Sequence, residues 1–287
     1  MTGVRSLSAL AAAFLLFMAV ATSAGAGNPN VAALQVALRA RGLYTGTIDG
    51  VVGPGTTAAV RRFQRRAHIA VDGVPGRQTR RALGRYGRHP FGTRLLWMGK
   101  KGWDVSALQF ALAAHGFPSG TFDGGLGPRT DAALRRFQRW AHLRADGVAG
   151  RATYAALRRA PARCPLSLRR PVRAPVGDRF GPRGNRFHPG IDFPAPYGAR
   201  VHAARSGRVV YAGWDSGGYG YLVTLAHGKG VRTMYAHLSR VRVRVGRWIR
   251  AGALLGNVGA TGEATGPHLH FEVRVRGAAV NPLPALR

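Results

Sequence analysis

Two hydrophobic rhythms divide the chain. In the first half, apolar residues recur every three or four positions: Val31, Leu34, Ala37 and Leu38, then Ala58, Ala59, Val60 and Phe63. That spacing builds one face of a helix. Gly42 closes the first stretch. "TIDGVVGPGT" supplies turn residues at Asp49-Gly50 and a proline, Pro54, to open the next helix; "VDGVPGRQT" is a second turn before the closing "RRAL". The same text returns 74 residues later: between 31–83 and 105–157, 32 of 53 aligned positions are identical without a gap. One module is therefore used twice. Each copy predicts three short helices, a small self-standing bundle.

Past residue 175 the helical rhythm stops. "ARVHAARSGRVVYAGW", "GYLVTLAHG", "VRTMYAHLS", "VRVGRWI" and "HLHFEVRV" are short, rich in β-branched and aromatic residues, and separated by glycine. They predict strands joined by hairpins and turns. The expected fold is multidomain: two small all-α three-helix modules at 27–88 and 92–160, a Pro- and Arg-rich linker at 161–175, and a mostly-β antiparallel domain at 176–287.

Composition adds three constraints. The formal charge of +32 favours anionic partners. The arginines are spread along the chain rather than gathered in a tail, and no aromatic-basic motif accompanies them, so nucleic acid is not an expected partner. Near the N-terminus, one arginine precedes an apolar run from about Leu10 to Val20, followed by Ala24-Gly25-Ala26. This is the pattern of a secretory signal peptide over 1–26, too short for a comfortable membrane span. A secreted, extracellular or wall-associated protein is expected, periplasmic where the cell has an outer membrane, monomeric and without a stable membrane span. Cys164, the only cysteine, cannot form an internal disulfide or a thiolate zinc site by itself.

Three stretches of the β half carry candidate chemistry. "NRFHPGIDF" places His188 and Asp192 four residues apart around a Pro-Gly turn. "HLHFEVRV" places His268 and His270 on one face of a strand. "TMYAHLSRV" holds His237. Singly, each has an ordinary reading: a surface polar pair, an exposed strand face, a structural histidine. Jointly they can supply the three nitrogen and oxygen ligands of a catalytic zinc that keeps an open position. Glu272 shares the strand face and is a minor acid–base candidate. His202 and His227 are expected to lie apart from the site.

Both halves carry a resemblance. The pattern LQ-x(2)-L-x(3)-G, then DG-x(2)-G-x(2)-T before and after FQ, resembles the peptidoglycan-binding module of bacterial wall hydrolases, which implies anchoring without chemistry. The set H-x(3)-D, Y-x-H-L and H-x-H-F-E, with "GRVVYAG" and "GNVGATGEATGPHLHFEVR", resembles the lysostaphin-type (LytM-like) zinc endopeptidases over about residues 176–283. That resemblance implies one Zn2+ ion held by His188, Asp192 and His270, with His237 and His268 as the catalytic pair, the base between them undecided. It implies hydrolysis of stem or cross-bridge peptide bonds in peptidoglycan. A cationic surface would also suit anionic wall polymers. The alternative is a non-catalytic peptidoglycan-binding or regulatory protein that retains the peptidase fold.

Overall fold

The structure, a computed structural model, describes residues 27–287; the expected signal peptide, 1–26, lies outside the described residues. Among those residues no helix is long and apolar enough to cross a membrane. The chain divides into two compact units. The first runs to Ala160, without 115–117, and takes in 182–186; the second holds 115–117, 161–181 and 187–287.

The first unit contains the expected two sets of three helices: α1 (Pro29–Arg39), α2 (Pro54–Arg66) and α3 (Arg77–Ala82), then α4 (Trp103–Ala114), α5 (Pro128–Trp140) and α6 (Arg151–Leu157). Prolines stand at the first turn of α1, α2 and α5, where a missing N–H costs nothing. α2 and α5 bury one stripe, with Phe63 and Phe137 at its centre. α1 and α4 behave differently. Residues 31–38 and 103–113 are buried on every side, because α1 packs against α4 as well as against α2. The two modules are therefore not separate bundles: each first helix is too apolar to leave a face in water, and each covers the other.

Four buried glutamines hold the loops from within. The Gln35 Nε2 amide lies 2.7 Å from Asp49 Oδ1, 3.1 Å from the Val51 carbonyl and 3.2 Å from Thr56 Oγ1, while Oε1 accepts the Gly50 N–H at 2.9 Å. Gln64 repeats this with Asp72, Val74, Thr79 and Gly73. Gln109 does so with Asp123, Gly125, Thr130 and Gly124, and Gln138 with Asp146, Val148, Thr153 and Gly147. The helices that follow these loops start at Gly53, Gly76, Gly127 and Gly150, none of which caps with a side chain. The glutamine supplies from inside the order that a capping side chain would otherwise give. Each module is thus itself two half-repeats of helix, glutamine clasp and helix start.

The second unit is an antiparallel sheet in the order β11-β10-β7-β6-β5-β8. Its strands are β5 (Gly207–Asp215), β6 (Gly220–Ala226), β7 (Val231–Val241), β8 (Trp248–Ile249), β10 (His268–Val275) and β11 (Ala278–Val280). β3 (Ile191–Pro194) pairs with β10, and β9 (Leu254–Val258) pairs with both β4 (Arg200–His202) and β7. β1 (Gly181–Arg183) and β2 (Arg186–His188) form a separate two-stranded sheet. Tyr235, Phe193, Leu269, Phe271 and Val273 are fully buried in the core. So are Leu168 and Val172 of the stretch expected as a linker, where the Leu168 N–H also donates to the Ala285 carbonyl at 2.8 Å. Its prolines and arginines read as a connector, but its apolar residues find cover on the sheet.

Candidate metal centre

β10 lies between β3 and β7, and its register decides what meets. His270 is paired with Asp192 on one side and with Ala236 on the other. Alternation sends Leu269, Phe271 and Val273 into the core and leaves His268, His270, Glu272 and Arg274 on the opposite face. His188, at the end of β2, reaches the same face through the Pro189-Gly190 turn. That turn presses on β10 so closely that a Cβ at Gly190 would lie 2.5 Å from the Phe271 carbonyl oxygen and 2.9 Å from His270 Cε1. Only glycine fits there.

Three buried side chains converge. His188 Nε2 is 3.1 Å from Asp192 Oδ1 and 3.0 Å from His270 Nδ1, and His270 Nδ1 is 2.7 Å from the same Oδ1. Among the described residues, His188, Asp192 and His270 are the group able to hold a metal ion, with ligand atoms within 4.8 Å of one another. Two imidazole nitrogens and a carboxylate oxygen aimed at one point fit the donor preferences of zinc.

The other ring nitrogens are committed outward. His188 Nδ1–H donates to the Arg179 carbonyl at 3.0 Å, which turns Nε2 toward the centre. His270 Nε2–H donates to Glu272 Oε1 at 3.0 Å, which turns Nδ1 toward the centre. His237 and His268 stand beside this trio, their ring centroids 4.7 Å apart, with His237 5.8 Å from His270 and His268 Nε2 3.9 Å from Asp192 Oδ1. They follow the same rule: His237 Nδ1–H donates to the Thr261 carbonyl at 2.7 Å, and His268 Nδ1–H to the Gly266 carbonyl at 2.8 Å. All four imidazoles are thereby fixed in orientation. His237 also holds a left-handed backbone, φ 58°, inside β7. A non-glycine residue in that region stores strain that surrounding contacts must hold; here the His237 N–H donates to the Tyr219 carbonyl at 2.9 Å.

Electrostatics follow the contacts. Burial would raise the Asp192 pKa, but hydrogen bonds from His188 and His270 outweigh it and hold the carboxylate well below its usual range. Burial disfavours a charged His270, yet Asp192 and Glu272 bring its pKa up to about 9. Burial, with the neighbouring histidines, lowers His237 to about 4, so that it is neutral at pH 7.

Glu272 is not placed to shuttle protons. It is fully buried, and both oxygens are taken: Oε1 by His270 and by the Tyr219 hydroxyl at 2.7 Å, Oε2 by Arg274 Nε at 2.7 Å. Burial opposes its charge, but Arg274 and these donors hold it down to about 2. An Arg274 terminal nitrogen also reaches Tyr219 Oη at 3.1 Å. Glu272 thus fixes His270 from behind. Arg274 was legible from strand parity, two residues beyond Glu272; Tyr219 and Thr261 come from distant turns and leave no signal in the spacing. His227 bonds to the Ser206 carbonyl and to Thr233 Oγ1, in another part of the sheet.

Comparison with known proteins finds two kinds of domain along the chain. Residues 186–282 match Peptidase family M23. Residues 27–83 and 101–157 match the "Putative peptidoglycan binding domain". The chain therefore carries an M23 peptidase domain preceded by two domains of the peptidoglycan-binding type. Over 114 residues it is 44% identical to the DD-carboxypeptidase/endopeptidase Mpg of Neisseria meningitidis serogroup B, covering 39% of this chain and 26% of that protein. Over 106 residues it is 41% identical to lysostaphin of Staphylococcus simulans, covering 35% and 22%. Over 118 residues it is 40% identical to the murein hydrolase activator EnvC of Escherichia coli, covering 40% and 28%. The chain spans about a quarter of the length of these relatives.

Proposed function

We propose that this protein is a secreted peptidoglycan hydrolase, a zinc-dependent endopeptidase that cuts stem or cross-bridge peptide bonds while its helical modules hold it on the wall. The convergence of His188 Nε2, Asp192 Oδ1 and His270 Nδ1 carries the reading. Those three atoms would hold the ion. Bound there, zinc supplies a Lewis acid for the scissile carbonyl and lowers the pKa of water toward neutrality. The neighbouring pair manages protons. With Nδ1 committed to a carbonyl, His237 and His268 each keep Nε2 for the reaction. A neutral imidazole accepts the proton of the attacking water as the carbon–oxygen bond forms. Its conjugate acid, whose new Nε2–H faces the reacting carbonyl, stabilises the oxyanion and then returns that proton to the amine as the carbon–nitrogen bond breaks. The modules would raise the local concentration of substrate.

The relative named as an activator keeps a second reading in play: a regulator that retains the fold. The occupied His237 and His268 positions favour the enzyme. The test is mass spectrometry of fragments released from purified wall, with native protein, chelated protein and His188→Ala. Peptide-bond cleavage that disappears with chelator, returns with zinc and is absent in the variant supports the hydrolase. Intact peptides in every sample would leave the regulator.

A further inference from the structure

The duplication provides an internal control, and its two copies differ most in charge. Over the 57 aligned positions, residues 27–83 carry nine arginines against two aspartates, whereas 101–157 carry seven basic residues against four aspartates. Both aspartates of the first module, Asp49 and Asp72, are spent on glutamine clasps. We propose that the exposed arginine stripe of α2, made of Arg61, Arg62, Arg65 and Arg66, binds a linear phosphate-bearing polymer, a role the second module does not share. The choice of a wall polymer of polyol phosphates rests on the wall-hydrolase reading; the stripe itself does not.

The stripe runs i, i+1, i+4, i+5 and is exposed throughout, so like charges face one another along the helix and destabilise it. The helix dipole accounts for basic residues in the last turn, Arg65 and Arg66, but not for Arg61 and Arg62. In the second module the equivalent strain is relieved: Arg135 Nε donates to Asp131 Oδ2 at 2.8 Å. The first module has Thr57 where Asp131 stands, and among the described residues no carboxylate reaches Arg61, whose side chain lies over the Gly73 turn. Its Arg66 is replaced by Trp140 in the copy. Guanidinium groups match phosphate oxygens in a planar fork, and a row on a convex helix suits an extended polymer rather than a small enclosed anion. The stripe contains no aromatic residue on which bases could stack, which disfavours single-stranded nucleic acid.

The experiment measures binding of the full chain to soluble poly(glycerol phosphate) between about 50 and 200 mM salt. Native protein is compared with Arg61→Gln/Arg65→Gln/Arg66→Gln and with Arg129→Gln/Arg139→Gln/Arg144→Gln, which removes three exposed charges from the second module. The first variant should bind about tenfold more weakly, with a log–log salt slope shallower by about two, since each phosphate that a single-stranded polyanion keeps unneutralised takes roughly 0.7 from the slope. The control variant should stay close to native. Native-like binding by the first variant, an equal loss in the control, or tighter binding of single-stranded DNA of matched charge would overturn the proposal. Cleavage of a short soluble stem peptide, read in the same samples, should be unchanged by either variant. No cleavage in any of them would sink the hydrolase reading and leave the polymer result standing.

Discussion

At the scale of single residues, the site is a set of imidazoles whose outer nitrogens are already spoken for. Glu272 matters most, because its hold on His270 Nε2 decides which nitrogen faces the centre. Glu272→Gln keeps the shape but weakens that hold. We expect zinc affinity, measured by competition with a chromogenic chelator, to fall about 10- to 100-fold; an unchanged affinity would remove Glu272 from the support of the metal. His237 gives a pH prediction. Its pKa is about 4 in the folded protein, against roughly 6.5 when unfolded. Below pH ~6.5 the unfolded chain takes a proton that the folded chain refuses, so stability is lost as pH drops toward 4. Melting temperatures of metal-free protein between pH 7.5 and 4.5 should fall more steeply for native protein than for His237→Gln. His188 with Asp192 and His268 with His270 stood out by their spacing around a turn and along a strand, whereas His237 drew notice only in their company, and the roles expected of all five came from the family resemblance. The inward direction of each ring was not legible, since it depends on carbonyls of Arg179, Thr261 and Gly266 that no pattern reveals.

At the scale of elements, helix and strand were legible from periodicity, and the glutamine clasps were not. "LQ" and "FQ" stood out as recurring text, but a glutamine on an apolar stripe does not announce four partners across a loop. The clasp explains why Asp-Gly and Thr keep a fixed separation of seven residues from Asp to Thr at all four sites. Gln138→Leu would strand the Gly147 N–H and the Thr153 hydroxyl, both bonded to it now. Leaving buried polar groups unpaired costs about 1–3 kcal/mol each. A loss of roughly 2–4 kcal/mol in denaturant unfolding is expected; a loss below about 0.5 kcal/mol, within the range of ordinary surface changes, would show the clasp to be ornamental.

At the scale of the whole molecule, duplication reads easily and its consequence does not. Sequence marks two modules; it does not mark that α1 and α4 share one interior, because a helix apolar on all sides carries no periodic signal of what covers it. A fragment of 27–160 should unfold in one cooperative transition, followed by circular dichroism, and 27–88 alone should melt lower. Two separate transitions in the longer fragment would contradict a shared interior. The segment 161–175 was obscured for a related reason: prolines and arginines dominate its composition, while its few apolar residues do the packing.

The strict alternation along β10 also limits how this protein can change. Deleting Leu269 from within the strand would exchange the faces of everything beyond it in a single event, directing an imidazole, a carboxylate and a guanidinium toward the apolar core while turning phenylalanine and valine away from it. Substitutions can tune this strand one position at a time, but its length is frozen, and insertions that modify specificity must accumulate in the glycine-rich turns at either end.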